Sequence, residues 1–222
     1  MTDIPPTSSA PARPGLFLAF EGGEGAGKST QVGLLREWLS AAGRDVIVTR
    51  EPGGTDIGER VRTILLEHGQ GEVDPRTEAL LFAASRAAHV VQKIRPAIEA
   101  GQVVVSDRFV DSSLAYQGAG RELGVEAVAD LNDWATEGMV PDLTVLLDVA
   151  PAISKARREA RDLGAPGDRI ESAEETFHAR LRDAFLGRAA QAPERYLVLD
   201  GTLPAPEVHA RIREALEPML NV

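Results

Sequence analysis

Residues Gly22 to Ser29 read G-G-E-G-A-G-K-S, with Thr30 following. The stretch satisfies G-x-x-x-x-G-K-[ST], a loop whose backbone N–H groups cradle phosphates. It follows the apolar run Leu16-Phe17-Leu18-Ala19-Phe20 and precedes a helical pattern, the strand-to-helix setting such a loop requires. Gly22, Gly23, Gly25 and Gly27 free the backbone to turn N–H groups inward at a helix N-terminus, with Glu24 and Ala26 between them. Lys28 reaches the outer phosphates, and Ser29 offers a hydroxyl to Mg²⁺. The expected donor is therefore Mg·ATP, contacted along 22–30.

Working outward, short apolar runs at 16–21, 45–50, 103–107, 143–148 and 196–199 alternate with helical patterns. Val103-Val104-Val105 is apolar without alternation, as in a parallel strand buried on both faces. Helices are expected at about 28–42, 57–68, 74–101, 125–137, 152–163, 173–190 and 206–220. Asp74 and Pro75 open the third, and Pro96 kinks or restarts it. The pattern predicts an α/β fold, a five-stranded parallel sheet flanked by helices, with ligands outside the C-terminal strand ends.

Composition narrows the function. The chain has 222 residues and a net charge of −10, which disfavours a non-specific nucleic-acid or acidic-membrane binder. It has no cysteine, so thiol metal sites and disulfides are excluded. No apolar run approaches the roughly 18 residues of a membrane span. Residues 1–14 are rich in Pro, Ser, Thr and Ala, without the apolar stretch of a secretory signal. A disordered tail, a kinase domain over 15–222 and a cytoplasmic location are the expectations.

The strand-end rule collects a second group of residues. Arg50 and Arg108 are cations at strand ends facing the phosphate loop, and a guanidinium fork matches phosphate oxygens. Either also suits an ion pair with a nearby carboxylate. Pro52-Gly53-Gly54 forces a sharp loop, and sequence leaves the Pro52 bond cis or trans. Asp107 is placed to hold a Mg²⁺-bound water or to orient an arginine. Glu24 sets an anion beside phosphates, which suits a cation or hydroxyl contact. Over 156–171, Arg157 and Arg161 share a helix face, the stretch 164–167 breaks the helix, and Arg169 lies beyond. This suits a closing LID with catalytic arginines, or an ordinary solvated basic helix.

Taken together, F-E-G-G-E-G-A-G-K-S-T, T-R-E-P-G-G-T, L-F-A-A-S-R, S-D-R-F, S-S-L-A-Y-Q-G and P-D-L-T-V-L-L-D-V make the chain resemble the thymidylate kinases from about residue 16 to 220. The resemblance implies a P-loop nucleoside monophosphate kinase fold and transfer of the γ-phosphate of Mg·ATP to thymidine 5′-monophosphate (dTMP). It implies a homodimer. It implies that Phe82 stacks on thymine, Arg86 reaches a base carbonyl, and Ser113 and Gln117 face the base edge. Tyr116 would pack beside the deoxyribose, Glu24 would meet the 3′-hydroxyl, and Glu171 would contact a metal-bound water. Glu24 and Ala26 stand where some relatives carry a loop arginine, so the chain resembles the bacterial branch whose catalytic arginine comes from the LID. The competing readings are a deoxynucleoside kinase, with Glu51 as base, and an ATP-hydrolysing switch.

Overall fold

The computed structural model describes residues 15–69, 71–162 and 175–220. The expected 1–14 tail, and 163–171 of the expected LID, lie outside them. β1 (Leu16–Glu21) leads through the phosphate loop into α1 (Lys28–Ala41). Then follow β2 (Val46–Arg50), α2 (Asp56–Leu66), α3 (Pro75–His89), a π-helical turn (Val90–Ile94) and α4 (Arg95–Glu99). β3 (Val103–Asp107), α5 (Val110–Ser113), a second π-helical stretch (Leu114–Gly120) and α6 (Val125–Thr136) come next. The chain continues with β4 (Leu143–Asp148), α7 (Pro151–Asp162), α8 (Glu175–Gln191), β5 (Tyr196–Asp200) and α9 (Ala205–Leu220).

The strands form one parallel sheet in the order β2-β3-β1-β4-β5. Because β1 lies between β3 and β4, the connections depart in opposite directions around it, and a crevice opens at its C-terminal end. β1 is buried on both faces, as its unbroken apolarity predicts. Leu16, Leu18 and Phe20 pack with Leu35 and Leu39 of α1 and Ile212 and Leu216 of α9. Phe17 and Ala19 face Val90, Ile94, Ala97 and Phe109. Each leucine, isoleucine, valine or phenylalanine among them removed from water contributes about 1.5–3 kcal/mol.

Local chemistry explains the helix starts. Thr55 caps α2 by accepting from Gly58 N–H, and Asp74 caps α3 by accepting from Arg76 and Thr77 N–H, with Pro75 in the first turn. Pro96 has no N–H for an i−4 bond, and the chain meets it through the π turn, where Arg95 N–H reaches back to Val90 O. The helical stretch 110–120 is not among the expected elements, and its Ser112, Ser113, Gly118 and Gly120 are weak helix formers. Packing overrides that signal: a Cβ on Gly120 would meet the Phe177 ring at 2.5 Å. Ile57 and Ile64, apolar positions of α2, are exposed, and Leu65 carries its buried face.

Candidate active site

The loop after β1 folds as its glycines require. Gly22 has φ 129° and no room for a side chain, since a Cβ would sit 2.4 Å from Leu147 O. Lys28 is buried, and its Nζ donates to Gly22 O and Gly23 O at 3.1 and 3.0 Å. Burial, and then Arg108, push its ammonium down to about 8. Phosphate oxygens beside Lys28 would favour the charged form.

Two concavities meet at this rim. One, about 500 Å³, is lined by 24–31 of the loop, by Arg50, Asp107 and Arg157, and by Leu203 and Val208. The other, about 140 Å³, is lined by Pro52, Leu66, Phe82, Ser113, Tyr116 and Gln117 among others. Glu24, Glu51, Arg62 and Arg108 line both. The shared wall is thus built of two carboxylates and two guanidinium groups.

Arg108 is the centre of that wall. Its backbone N–H donates to Phe20 O at 2.9 Å, and its φ of 74° is a conformation that costs a non-glycine residue about 1 kcal/mol or more. Its Nη1 donates to Gly22 O and Ser112 Oγ, its Nη2 to the Tyr116 hydroxyl, and the guanidinium lies 5.2 Å from the Tyr116 ring centre. Burial opposes the charge, but Tyr116, Glu21, Asp107 and Glu24 outweigh it and hold Arg108 above its ordinary value. Burial raises the Tyr116 phenol, which keeps it a neutral partner.

Glu21, inside the F-E-G-G motif but absent from the expected site, supports this arginine from beneath. It is fully buried and accepts from the N–H groups of Phe109 and Ser112 and from Ser112 Oγ. Burial pushes its carboxyl up to about 7, with Arg108 pulling down and Asp111 pushing up. The folded protein therefore holds this proton between pH 4.5 and 7, where the unfolded chain has lost it. Its stabilisation is complete below pH 4.5 and declines as pH rises through 7. Thermal melts of wild type and Glu21→Gln should show the wild type losing ground to the variant from pH 5 to pH 8. A constant difference would contradict the raised value.

The remaining expected residues divide. Phe82, Ser113, Tyr116 and Gln117 converge on the smaller cavity, and Pro52 joins them through a cis Glu51–Pro52 bond. Arg86 lies one layer behind: it is 1% exposed and donates from Nε to Glu51, from Nη1 to Ser113 and Asn132, and from Nη2 to Phe109 O. Arg50 lines the larger crevice from its rim, ion-paired with Glu59 at 2.9 Å. Arg62, overlooked in a helix read for its apolar face, donates to Pro52 O at 2.9 Å and lines both concavities. Arg157 reaches Gly201 O and Gly25 O, which brings α7 to the donor side. The Arg161 side chain, Arg169 and Glu171 lie outside the described residues.

The donor set suits a nucleotide-borne Mg²⁺. Asp107 Oδ1 is buried without a hydrogen-bond partner, and Ser29 lines the same crevice. Among the described residues no cluster of three metal-ligating side chains occurs. A hard cation held by phosphate oxygens with a hydroxyl and a carboxylate nearby fits both facts. No described helix is long and apolar enough to cross a membrane.

A phosphate loop opening one crevice, an aromatic cavity beside it and arginines on the common wall define a P-loop nucleoside monophosphate kinase. The family model described as thymidylate kinase matches residues 20–212. The chain belongs to the thymidylate kinase family. It is 52% identical over 199 residues to a thymidylate kinase of Clavibacter sepedonicus, covering 90% of this chain and 93% of that one. It is 50% identical over 202 residues to one of Deinococcus radiodurans, covering 91% and 96%. The crystal structure of the Ehrlichia chaffeensis thymidylate kinase superposes with a TM-score of 0.73 at 33% identity, covering 91% of this chain and 99% of that one.

Proposed function

We propose that this thymidylate kinase binds its two nucleotides end to end, ATP along the loop crevice and dTMP with its base in the Phe82 cavity. The observation that carries the arrangement is the common wall: Arg62 and Arg108 border both concavities where the two phosphate groups would meet. The acceptor is a phosphate monoester with a second pKa of about 6, so it is already a nucleophile at neutral pH and needs no general base. The problem to solve is the approach of two polyanions.

Lys28, Arg108, Arg62 and, from the rim, Arg50 compensate that charge. The loop N–H groups orient the donor phosphates, and Phe82 and Tyr116 fix the acceptor in line. Ser29 and Asp107 would hold Mg²⁺, which when bound neutralises phosphate charge. Arg157 flanks the donor from α7. Arg161 and Arg169 are the further LID candidates for shielding the transferring group. Glu51 cannot easily serve as a base for a sugar hydroxyl, because Arg86 and His89 occupy its two oxygens. This weighs against a deoxynucleoside kinase.

The test is transfer from Mg·ATP to a panel of nucleoside monophosphates and to thymidine. The expected result is preference for dTMP, no turnover of thymidine, and no ATP hydrolysis beyond a trace without acceptor. Preference for a purine nucleotide or cytidylate would reject the arrangement. The homodimer implied by the family resemblance has support in the exposed Leu80 of α3 and Trp134 of α6, the latter 81% exposed, on helices that pack together.

A further inference from the structure

The smaller cavity contains a polar side chain whose hydrogen-bonding direction is set from outside it. Gln117 lines the cavity, is 1% exposed, and donates from Nε2 to Glu78 Oε1 at 2.8 Å. Glu78 is itself 1% exposed and lies on α3, behind the lining residues. Arg121 holds both of its oxygens, Nε on Oε1 and Nη2 on Oε2, each at 3.3 Å. An ion-paired carboxylate accepts hydrogen bonds and donates none. The Gln117 amide is therefore oriented NH₂ toward Glu78, which leaves its carbonyl oxygen for a ligand. Ser113 Oγ accepts from Arg86 Nη1 at 2.9 Å, which leaves its proton and one lone pair for the cavity.

An acceptor beside a hydroxyl that can donate complements a 4-oxo pyrimidine edge, where O4 accepts and N3–H donates. A 4-amino pyrimidine presents an accepting N3, which mismatches the fixed Gln117 carbonyl. We infer that Glu78, anchored by Arg121, is a specificity-positioning residue: by fixing the Gln117 amide it makes the cavity admit oxo and reject amino pyrimidines. The inference rests on placing the base in the Phe82 cavity. It adds a role for two side chains that do not themselves line that cavity, and it accounts for a buried charge that phosphoryl transfer does not use.

The experiment measures kcat/KM for dTMP and dCMP at saturating Mg·ATP. In Glu78→Gln the partner amide presents either a donor or an acceptor, so Gln117 is free to turn over. The dTMP-to-dCMP ratio should fall at least about tenfold, the scale of one buried polar mismatch, with KM for ATP unchanged. Arg121→Ala, at a more exposed position, should shift the ratio in the same direction by less. The exchange variant Glu78→Gln/Gln117→Glu keeps the buried charge and again offers the base an acceptor-only atom, so it should recover most of the ratio. Melting curves establish that each variant is folded. Parallel loss toward both substrates, or an exchange variant no better than the single one, would overturn the inference. Phe82→Ala, measured alongside, tests the base placement separately: an unchanged KM for dTMP would remove that placement itself.

Discussion

Replacing Arg108 by alanine is expected to lower kcat for phosphoryl transfer by about a thousandfold, while ATP affinity stays within about threefold. The side chain lies on the wall common to both concavities, with Glu21, Asp107 and Glu24 contributing to its charge environment. A planar fork held by Gly22 O, Ser112 and Tyr116 is aimed before substrate arrives, so little reorganisation is left for the reaction. Lysine keeps the charge but loses the fork, and Arg108→Lys should recover only a small part of the rate. Steady-state kinetics together with an ATP titration decide the matter. An equal loss of ATP affinity would move Arg108 to the donor side.

The second large effect is on stability. Glu51 is 4% exposed, accepts from Arg86 Nε at 2.6 Å, and meets His89 Nδ1 at 2.8 Å. His89 is fully buried, and its Nε2 lies 2.7 Å from Thr49 Oγ1. Removing one member of such a pair strands a buried guanidinium, at a cost of about 3–5 kcal/mol. For a chain of this size, that corresponds to a fall in melting temperature of about 10 °C. Glu51→Ala should show this in thermal or urea unfolding, with the Arg86 to Ser113 contact loosened as well. A variant that melts like wild type but loses all turnover would instead make Glu51 a reacting group.

Much of this architecture was readable because it rests on periodicity and on one short loop. The continuous apolarity of 103–105 gave a doubly covered strand, and the glycine spacing of 22–27 gave a phosphate loop; neither depends on partners distant in sequence. The aromatic cavity was reached through the family resemblance, since Phe82 alone reads as core. What escaped is what sequence order does not encode. Glu21 looked like the polar end of a strand, yet it meets Ser112 across 91 residues. Arg62 was hidden because α2 was read by its apolar positions Val61, Ile64 and Leu65, of which Ile64 is exposed. Glu78 and Arg121 matter only once Gln117 is known to lie between them and the cavity. The helix carrying Ser113 and Gln117 was obscured by glycines that packing demands and propensity forbids.

Arg86 ties together segments that are far apart in the chain: Glu51 after β2, Phe109 and Ser113 around α5, and Asn132 on α6. One buried guanidinium thus couples these segments, so a displacement of any of them is transmitted to Ser113 in the smaller cavity.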